Sequence, residues 1–208
     1  MKTTILTLIA AIVLTATTSA TSAFATAKTT TTNGVTELAN ITTISKIEAH
    51  GNVEVYITNG AKDGVKIYDE NYYSQSALVQ EDKGVLRVTN YNKAEKLVVE
   101  VTVTDLRNVA AFDNAVIKSD KLNLVDLKVD LFNNSYAGLQ LNNYAANINV
   151  HDQAKADLSG SIDQYSLTYS FGTTVNRAEL AALNNSESRI AAPTVHAKHN
   201  WATAMASI

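Results

Sequence analysis

Short runs in which apolar and polar residues alternate dominate the chain from Ile44 onward. The run "VEVYI" at residues 53–57 places Val53, Val55 and Ile57 on one face, and the longest such run is "LVVEVTV". Turn-forming sequences ("NGAKDG" and "EDKG") separate the runs, and no convincing apolar stripe at helical spacing occurs between them. The pattern predicts a β-meander with hairpin-like connections over residues 40–105.

The second half of the chain shows a longer repeat. When Asp113, Asn133, Asp152 and Phe171 are aligned, successive units are spaced by 20, 19 and 19 residues. Large apolar residues stand four places earlier in every unit: Val109, Val129, Ile148 and Leu167. Small residues stand two places later: Ala115, Ser135, Ala154 and Thr173. Each unit is therefore predicted to be strand, corner, strand, with Asn or Asp at the corner because these residues tolerate left-handed backbone conformations.

A strand-rich repeat of this length is typical of a β-solenoid, in which stacked units share a core that one unit alone cannot form. We therefore predict an all-β fold in which the β-meander leads into a short β-helix with rungs of about 19–20 residues over residues 106–192. The repeat weakens beyond Ala181. Residues 188–193 are interpreted as a degenerate capping unit, because Pro193 blocks strand pairing, and residues 193–208 as a cap or tail.

The start of the chain has the pattern of an export signal. Lys2 precedes a largely apolar run of ten residues, "ILTLIAAIVL", and small residues follow up to Ala25. A run of ten residues is too short to cross a bilayer, so residues 1–25 are predicted to be a signal peptide. The mature chain would then comprise a threonine-rich polar spacer (residues 26–39) and one domain (residues 40–208), without a transmembrane segment. We expect the protein in the periplasm, on the cell surface or in the medium.

Composition excludes several classes of function. The chain has no cysteine, which excludes disulfides, thiolate catalysis and a lipid-modified cysteine. The formal net charge is −3, and Lys and Arg are scattered among Asp and Glu without a basic patch. We therefore expect no nucleic-acid partner.

Several segments carry a resemblance to a known family. The stretch "ISKIEAHGNVEVYI" at residues 44–57, the following Asn59-Gly60, and "GVLRV" at residues 84–88 resemble the opening of the head GIN domain of auto-transporter adhesins from Bacteroidetes-type bacteria. The resemblance covers roughly residues 40–180. It implies an exported protein with a right-handed β-helical repeat, an adhesin role and no catalytic residue. The family's Gly-Ser-Gly-like corners are matched here only by Ser159-Gly160-Ser161.

Reactive side chains offer little chemistry. His196 and His199 have no acidic partner nearby in sequence, so we expect no metal site and no cofactor. His151 occupies the position of Phe112 and Phe132 in the repeat, which favours a packed or half-exposed ring. No Ser/His/Asp arrangement or ladder of carboxylates is present, so we do not expect an enzyme.

The remaining candidates for binding are polar ladders and aromatic rings. Asp130, Asn149 and Thr168 fall in register on the outer face of the predicted coil and form the candidate ligand site. Six tyrosines are candidates to present rings to a sugar or a partner: Tyr72, Tyr73, Tyr91, Tyr136, Tyr144 and Tyr165. The first hypothesis is a non-enzymatic adhesin-like or binding module that contacts a surface glycan or another envelope protein. The alternatives are a polysaccharide-binding or carbohydrate-active envelope protein, and a structural role in the periplasm.

Overall fold

The described part of the chain consists of strands and the turns between them. The computed structural model describes residues 29–32, 35–39, 41–68 and 77–190, and contains no helix within these ranges. The first eight strands are β1 (Thr29–Thr32), β2 (Val35–Leu38), β3 (Lys46–Gly51), β4 (Val53–Asn59), β5 (Gly64–Ile67), β6 (Ala77–Asp82), β7 (Val85–Asn90) and β8 (Leu97–Val103). The other six are β9 (Asn108–Phe112), β10 (Val116–Ser119), β11 (Asp126–Leu131), β12 (Tyr136–Val150), β13 (Lys155–Tyr169) and β14 (Thr174–Arg189). The predicted all-β class is confirmed.

Strands of the second half pair in parallel, in the register that the repeat predicts. Val129 pairs with Val109 on one side and with Ile148 on the other, and Ile148 pairs with Leu167. After the corner, Ala137 pairs with both Ile117 and Ala156. Residues that the sequence aligns are therefore neighbours in space, one strand apart, and their apolar side chains form continuous buried columns.

The corners use left-handed residues at the aligned positions. Asp113, Asn133 and Asp152 have φ angles of 61°, 59° and 57°. The second and third of these side chains also support the corner before them: Asn133 Oδ1 accepts the Asp113 N–H at 3.1 Å, and Asp152 Oδ2 accepts the Asn133 N–H at 2.9 Å. In the fourth corner the left-handed residue is Gly172 (φ 103°) rather than the aligned Phe171, because a left-handed conformation is costly for a bulky side chain.

The predicted β-meander is wrong for most of the first half. Strand β3 pairs in parallel with β7 and β9, and β4 pairs in parallel with β8 and β10. The β6–β7 hairpin is present, with left-handed Lys83 and Gly84 in its turn. Alternation shows which side chains share a face, but it does not show which strands are neighbours. Parallel strand pairing therefore continues across residues 105 and 106, where the sequence predicted that the β-meander ends and the β-helix begins.

The predicted polar spacer is also partly structured. Strands β1 and β2 pair antiparallel, and β2 joins the sheet through β5. Leu38 and Thr36 of β2 are buried. The β-propensity of threonine and valine explains why this threonine-rich segment forms strands.

The last strand closes the buried columns with polar residues. Tyr165 pairs with Asn185 and Leu167 pairs with Glu187, so amide and carboxylate groups replace apolar side chains on β14. Glu187 forms an ion pair with Arg177 of the same strand. Replacement of core residues thus begins within β14, ahead of the capping unit predicted at residues 188–193. The expected signal peptide, Tyr72, Tyr73, His196, His199 and residues 193–208 lie outside the described residues.

A cluster of charges stabilises the surface where β8, β4 and β10 meet. Lys118 and Lys96 contact the Glu54 carboxylate at 2.7 and 2.9 Å, and the Tyr56 hydroxyl donates to it. Hydrogen bonds from Lys118, Tyr56 and Lys96 lower the pKa of Glu54 from 4.5 to about 2.

Replacing Glu54 with glutamine should flatten the loss of stability in acid. Because the folded pKa lies below the ordinary value, the contribution of Glu54 is complete above pH 4.5 and is lost as the pH falls toward 2. Urea unfolding of Glu54→Gln across this window measures the effect, with Glu95→Gln as the exposed control. If the unfolding free energy of Glu54→Gln fell with decreasing pH as steeply as that of the parent, the stabilising role of the Glu54 carboxylate would be contradicted.

Candidate functional site

The three residues of the predicted ligand site lie in one line across neighbouring strands. Asp130 pairs with Asn149, and Asn149 pairs with Thr168. Asn149 Nδ2 donates to Asp130 Oδ1 at 2.9 Å, and Lys128 Nζ contacts the other carboxylate oxygen at 2.8 Å. Part of the hydrogen-bonding capacity of Asp130 and Asn149 is therefore used within the protein.

This line belongs to a wider polar surface on β11 to β14. A second line runs beside it, two residues earlier in each strand, because alternate residues of a strand share a face. We call the two lines together the polar face: Lys128, Asn147, Ser166, Ser186, Asp130, Asn149, Thr168 and Ser188. Six of these eight side chains are uncharged amides or hydroxyls.

An open cleft of about 500 Å³ lies beside the polar face and shares residues with it. It crosses β11, β12, β13 and β14, and we call it the amide cleft. Its lining is Arg107, Asn108, Asp126, Leu127, Lys128, Ala145, Ala146, Asn147, Gln164, Tyr165, Ser166, Asn184, Asn185 and Ser186. Alanine and leucine line it together with amides and hydroxyls, so the cleft combines apolar and polar surface.

Charges at one end of the amide cleft are neutralised by partners outside it. Arg107 contacts Asp105 at 2.8 Å, and hydrogen bonding to Asp105 raises the pKa of the guanidinium. Lys128 is paired with Asp130. With Asp126 as a third charge in the lining, the cleft has no net positive field to attract an anion.

Tyr165 lies beneath the amide cleft, contrary to its predicted role as an exposed ring. Only 3% of its surface is accessible, and burial raises the pKa of its hydroxyl. Of the other candidate tyrosines, Tyr91 and Tyr144 are exposed, whereas Tyr136 donates its hydroxyl to Asp157 at 2.7 Å. The sequence repeat signals the burial of Tyr165, because it aligns this residue with Ala146 and Leu127 of the core.

A second open cleft of about 460 Å³ lies on another side of the same strands. It contains the carboxylates of Asp157 and Glu179 among small polar residues. Asp157 accepts the Tyr136 hydroxyl and is therefore part of the structural network of this surface. Fewer of the polar side chains that line this cleft are free of hydrogen bonds within the protein than in the amide cleft.

Four stacked rings lie in a row at the corners between strands. His50, Phe112, Phe132 and His151 follow one another with centroid separations of 4.4, 4.9 and 4.8 Å, and their planes are within 5° of parallel. The prediction that His151 packs at the position of Phe112 and Phe132 is confirmed. The faces of the two central rings are covered by their neighbours, so this stack stabilises corners rather than presenting a platform to a ligand.

Two further observations concern the described part of the chain. No group of three or more His, Asp or Glu side chains within it is arranged to hold a metal ion. No helix there is long and apolar enough to cross a membrane.

Solved structures that are similar to this chain come from Parabacteroides and Bacteroides species. A putative adhesin from Parabacteroides distasonis is similar over 79% of this chain and 79% of its own, at 12% identity and a TM-score of 0.53. A putative adhesin from Bacteroides fragilis is similar over 76% of this chain and 98% of its own (12% identity, TM-score 0.41). A putative lipid binding protein from Parabacteroides distasonis is similar over 76% and 96%, respectively (10% identity, TM-score 0.37).

Sequence comparison identifies the family. No protein with a curated description matches the chain. Residues 44–193 match the family described as "Putative auto-transporter adhesin, head GIN domain", in agreement with the resemblance seen at residues 44–57 and 84–88. This match spans well over half of the 208 residues. The chain therefore belongs to the head GIN domain family of putative auto-transporter adhesins.

Proposed function

We propose that this protein is a non-enzymatic, adhesin-like binding module exported to the bacterial cell envelope, and that the polar face with the amide cleft is its binding surface. Residues 40–208 form a single domain in this proposal, organised as a right-handed β-solenoid with rungs of 19–20 residues. Parallel pairing at these spacings supports the solenoid, and the family resemblance supports its hand.

The observation that carries the proposal is the run of polar residues across four adjacent strands, all of them uncharged on β12, β13 and β14. The fold needs apolar residues inside the coil and left-handed residues at its corners, but it does not need Asn147, Ser166 and Ser186 on the outside. Parallel strands hold these side chains in a regular array at about 4.8 Å intervals. Such an array can contact an extended partner at several points without a change of shape.

The same surface supports a binding role rather than catalysis. The two charged residues of the polar face, Lys128 and Asp130, are paired with each other. Glycoside hydrolysis requires two carboxyl groups about 5–10 Å apart. The polar face has one, and Asp126 of the amide cleft lies four residues earlier on the same strand, about 13 Å along it. We therefore propose that the chain binds a glycan or an envelope protein without converting it, and that it needs no cofactor or metal.

Surface labelling of intact cells tests the proposed location. A membrane-impermeant amine reagent should modify exposed lysines such as Lys128 and Lys155 when the protein is produced with its own leader. Labelling only after the outer membrane is permeabilised would contradict an adhesive role at the surface. A cytoplasmic protein in the same cells provides the control for lysis.

A polysaccharide-binding role is the second candidate function. It is favoured specifically by the amide cleft, in which apolar and polar surface alternate over about 500 Å³, within the range of known small-molecule sites.

A further inference from the structure

Five polar side chains that line the amide cleft are not used by the fold. Some rows of polar side chains elsewhere on the surface are hydrogen-bonded within the protein: Asn142 donates to Asn123 at 2.7 Å, and Arg87 to Glu48 at 3.0 Å. In the described part of the chain, the side chains of Asn147, Gln164 and Ser166 make no hydrogen bond to the protein. Those of Asn185 and Ser186 make none either. These groups are available to a ligand.

From this arrangement we infer that the amide cleft binds a neutral oligosaccharide whose chain runs across strands β11 to β14. The inference rests on the proposed binding function and specifies the ligand class of that same surface. It assigns ligand contacts to Asn147, Gln164 and Ser166. These residues lie beside the predicted site residues Asn149 and Thr168 but were not themselves predicted.

The chemistry of the lining matches a sugar chain. Amides donate and accept at the same group, and hydroxyls do so as well, so they pair with sugar hydroxyls in either direction. Half-buried Ala145 gives the lining an apolar surface against which the C–H face of a pyranose can pack. Neighbouring strands are about 4.8 Å apart, so the four strands extend over about 14 Å, enough for a short linear oligosaccharide.

The charges of the cleft favour a neutral ligand over an acidic one. Arg107 and Lys128 already hold carboxylate partners, and Asp126 adds a negative charge to the lining. A sulfated or uronic-acid chain would compete with Asp105 and Asp130 for these cations. Its negative charges would also be repelled by the Asp126 carboxylate. Binding of a neutral chain should therefore change little between low and high salt, because no ion pair forms.

Calorimetric titration with linear oligosaccharides of glucose, mannose and galactose tests the inference, with sulfated and uronic-acid chains as charged counterparts. At least one neutral series should bind, and Asn147→Ala and Gln164→Ala should each weaken it about tenfold, because each removes hydrogen bonds to the ligand. Gln153→Ala is the matched control: Gln153 is exposed, makes no side-chain hydrogen bond within the described residues and lies outside the cleft. Its affinity should equal that of the parent.

Side-chain amide signals in ¹⁵N-labelled protein give a second readout that does not depend on the variants. On titration with the bound sugar, the signals of Asn147 and Gln164 should shift, while that of Gln153 stays in place. Unchanged affinity in both cleft variants, binding of acidic chains alone, or binding of none of the sugars would each overturn the inference. If protein-coated beads still adhere to cells when all the sugars fail, the ligand class is wrong and the binding function stands. Loss of adhesion as well would reject both.

Discussion

Replacing Gly160 with alanine should lower the free energy of unfolding by about 3 kcal/mol or more. Gly160 lies in the middle of β13 with a φ of 103°, a conformation that L side chains rarely adopt. A Cβ atom there would lie 2.0 Å from the carbonyl oxygen of Leu141 on the neighbouring strand. Because this neighbour is backbone, it cannot rotate away, and β12 and β13 would have to separate locally.

Urea unfolding followed by circular dichroism measures the effect of Gly160→Ala. The matched control is Gly64→Ala in strand β5, where nothing lies within 4 Å of the added Cβ atom and φ is not in the left-handed region. Its stability should stay within about 0.5 kcal/mol of the parent. Equal stability of the two variants would show that the close contact between β12 and β13 is not as described.

Replacing Ile148 with aspartate should unfold the stack of strands β9 to β14. Ile148 has no accessible surface and pairs with Val129 and Leu167 in the central buried column. A carboxylate at this position would lose its hydration without gaining a partner, at a cost of several kcal/mol. Since domains are stable by only about 5–15 kcal/mol, the loss is large enough to populate the unfolded state.

Thermal melting and far-ultraviolet circular dichroism of Ile148→Asp check this expectation. Asn147→Asp adds the same charge one residue earlier, on the exposed side of the same strand, and should melt within a few degrees of the parent. If Ile148→Asp kept its melting temperature, the inward face of β12 would be assigned incorrectly.

The repeat in the second half was predictable because one physical requirement recurs in each unit. A buried column needs an apolar residue at the same place in every strand, as at Val129, Ile148 and Leu167, and a tight corner needs a left-handed residue, as at Asn133 and Asp152. Both requirements place particular residue types at a fixed spacing in the sequence. The register could therefore be derived from the sequence alone.

The arrangement of the first half could not be derived in the same way. Apolar and polar residues alternate within its strands as predicted. However, β3 pairs with β7 and β9, which lie at unequal distances from β3 along the chain. A turn sequence at residues 59–64 indicated a hairpin, yet β4 and β5 are separated by β8. Asp63 in this turn instead accepts the backbone N–H groups of Ile44 and Thr104 from distant parts of the chain. No local pattern reports such contacts.

The proposed binding surface was predicted only in part for a related reason. The register placed Asp130, Asn149 and Thr168 in one line, and the structure agrees. The amide cleft depends on the space that side chains from four strands leave between them, which the alternation of residues does not reveal. The ion pair between Asp130 and Lys128 could not be predicted from the sequence either, because it depends on how the two side chains turn toward each other.

The proposed role of the polar face can be tested by blocking it. Beads coated with the protein are counted on intact bacterial cells and on epithelial cell layers, using the parent, Thr168→Trp and Lys155→Trp. Thr168 lies on the polar face, whereas exposed Lys155 pairs with Tyr136 and Thr174 on another side of the coil. If the face binds, Thr168→Trp should lose most of the adhesion at an unchanged melting temperature, and Lys155→Trp should keep it. Equal adhesion of Thr168→Trp and the parent would contradict the proposal.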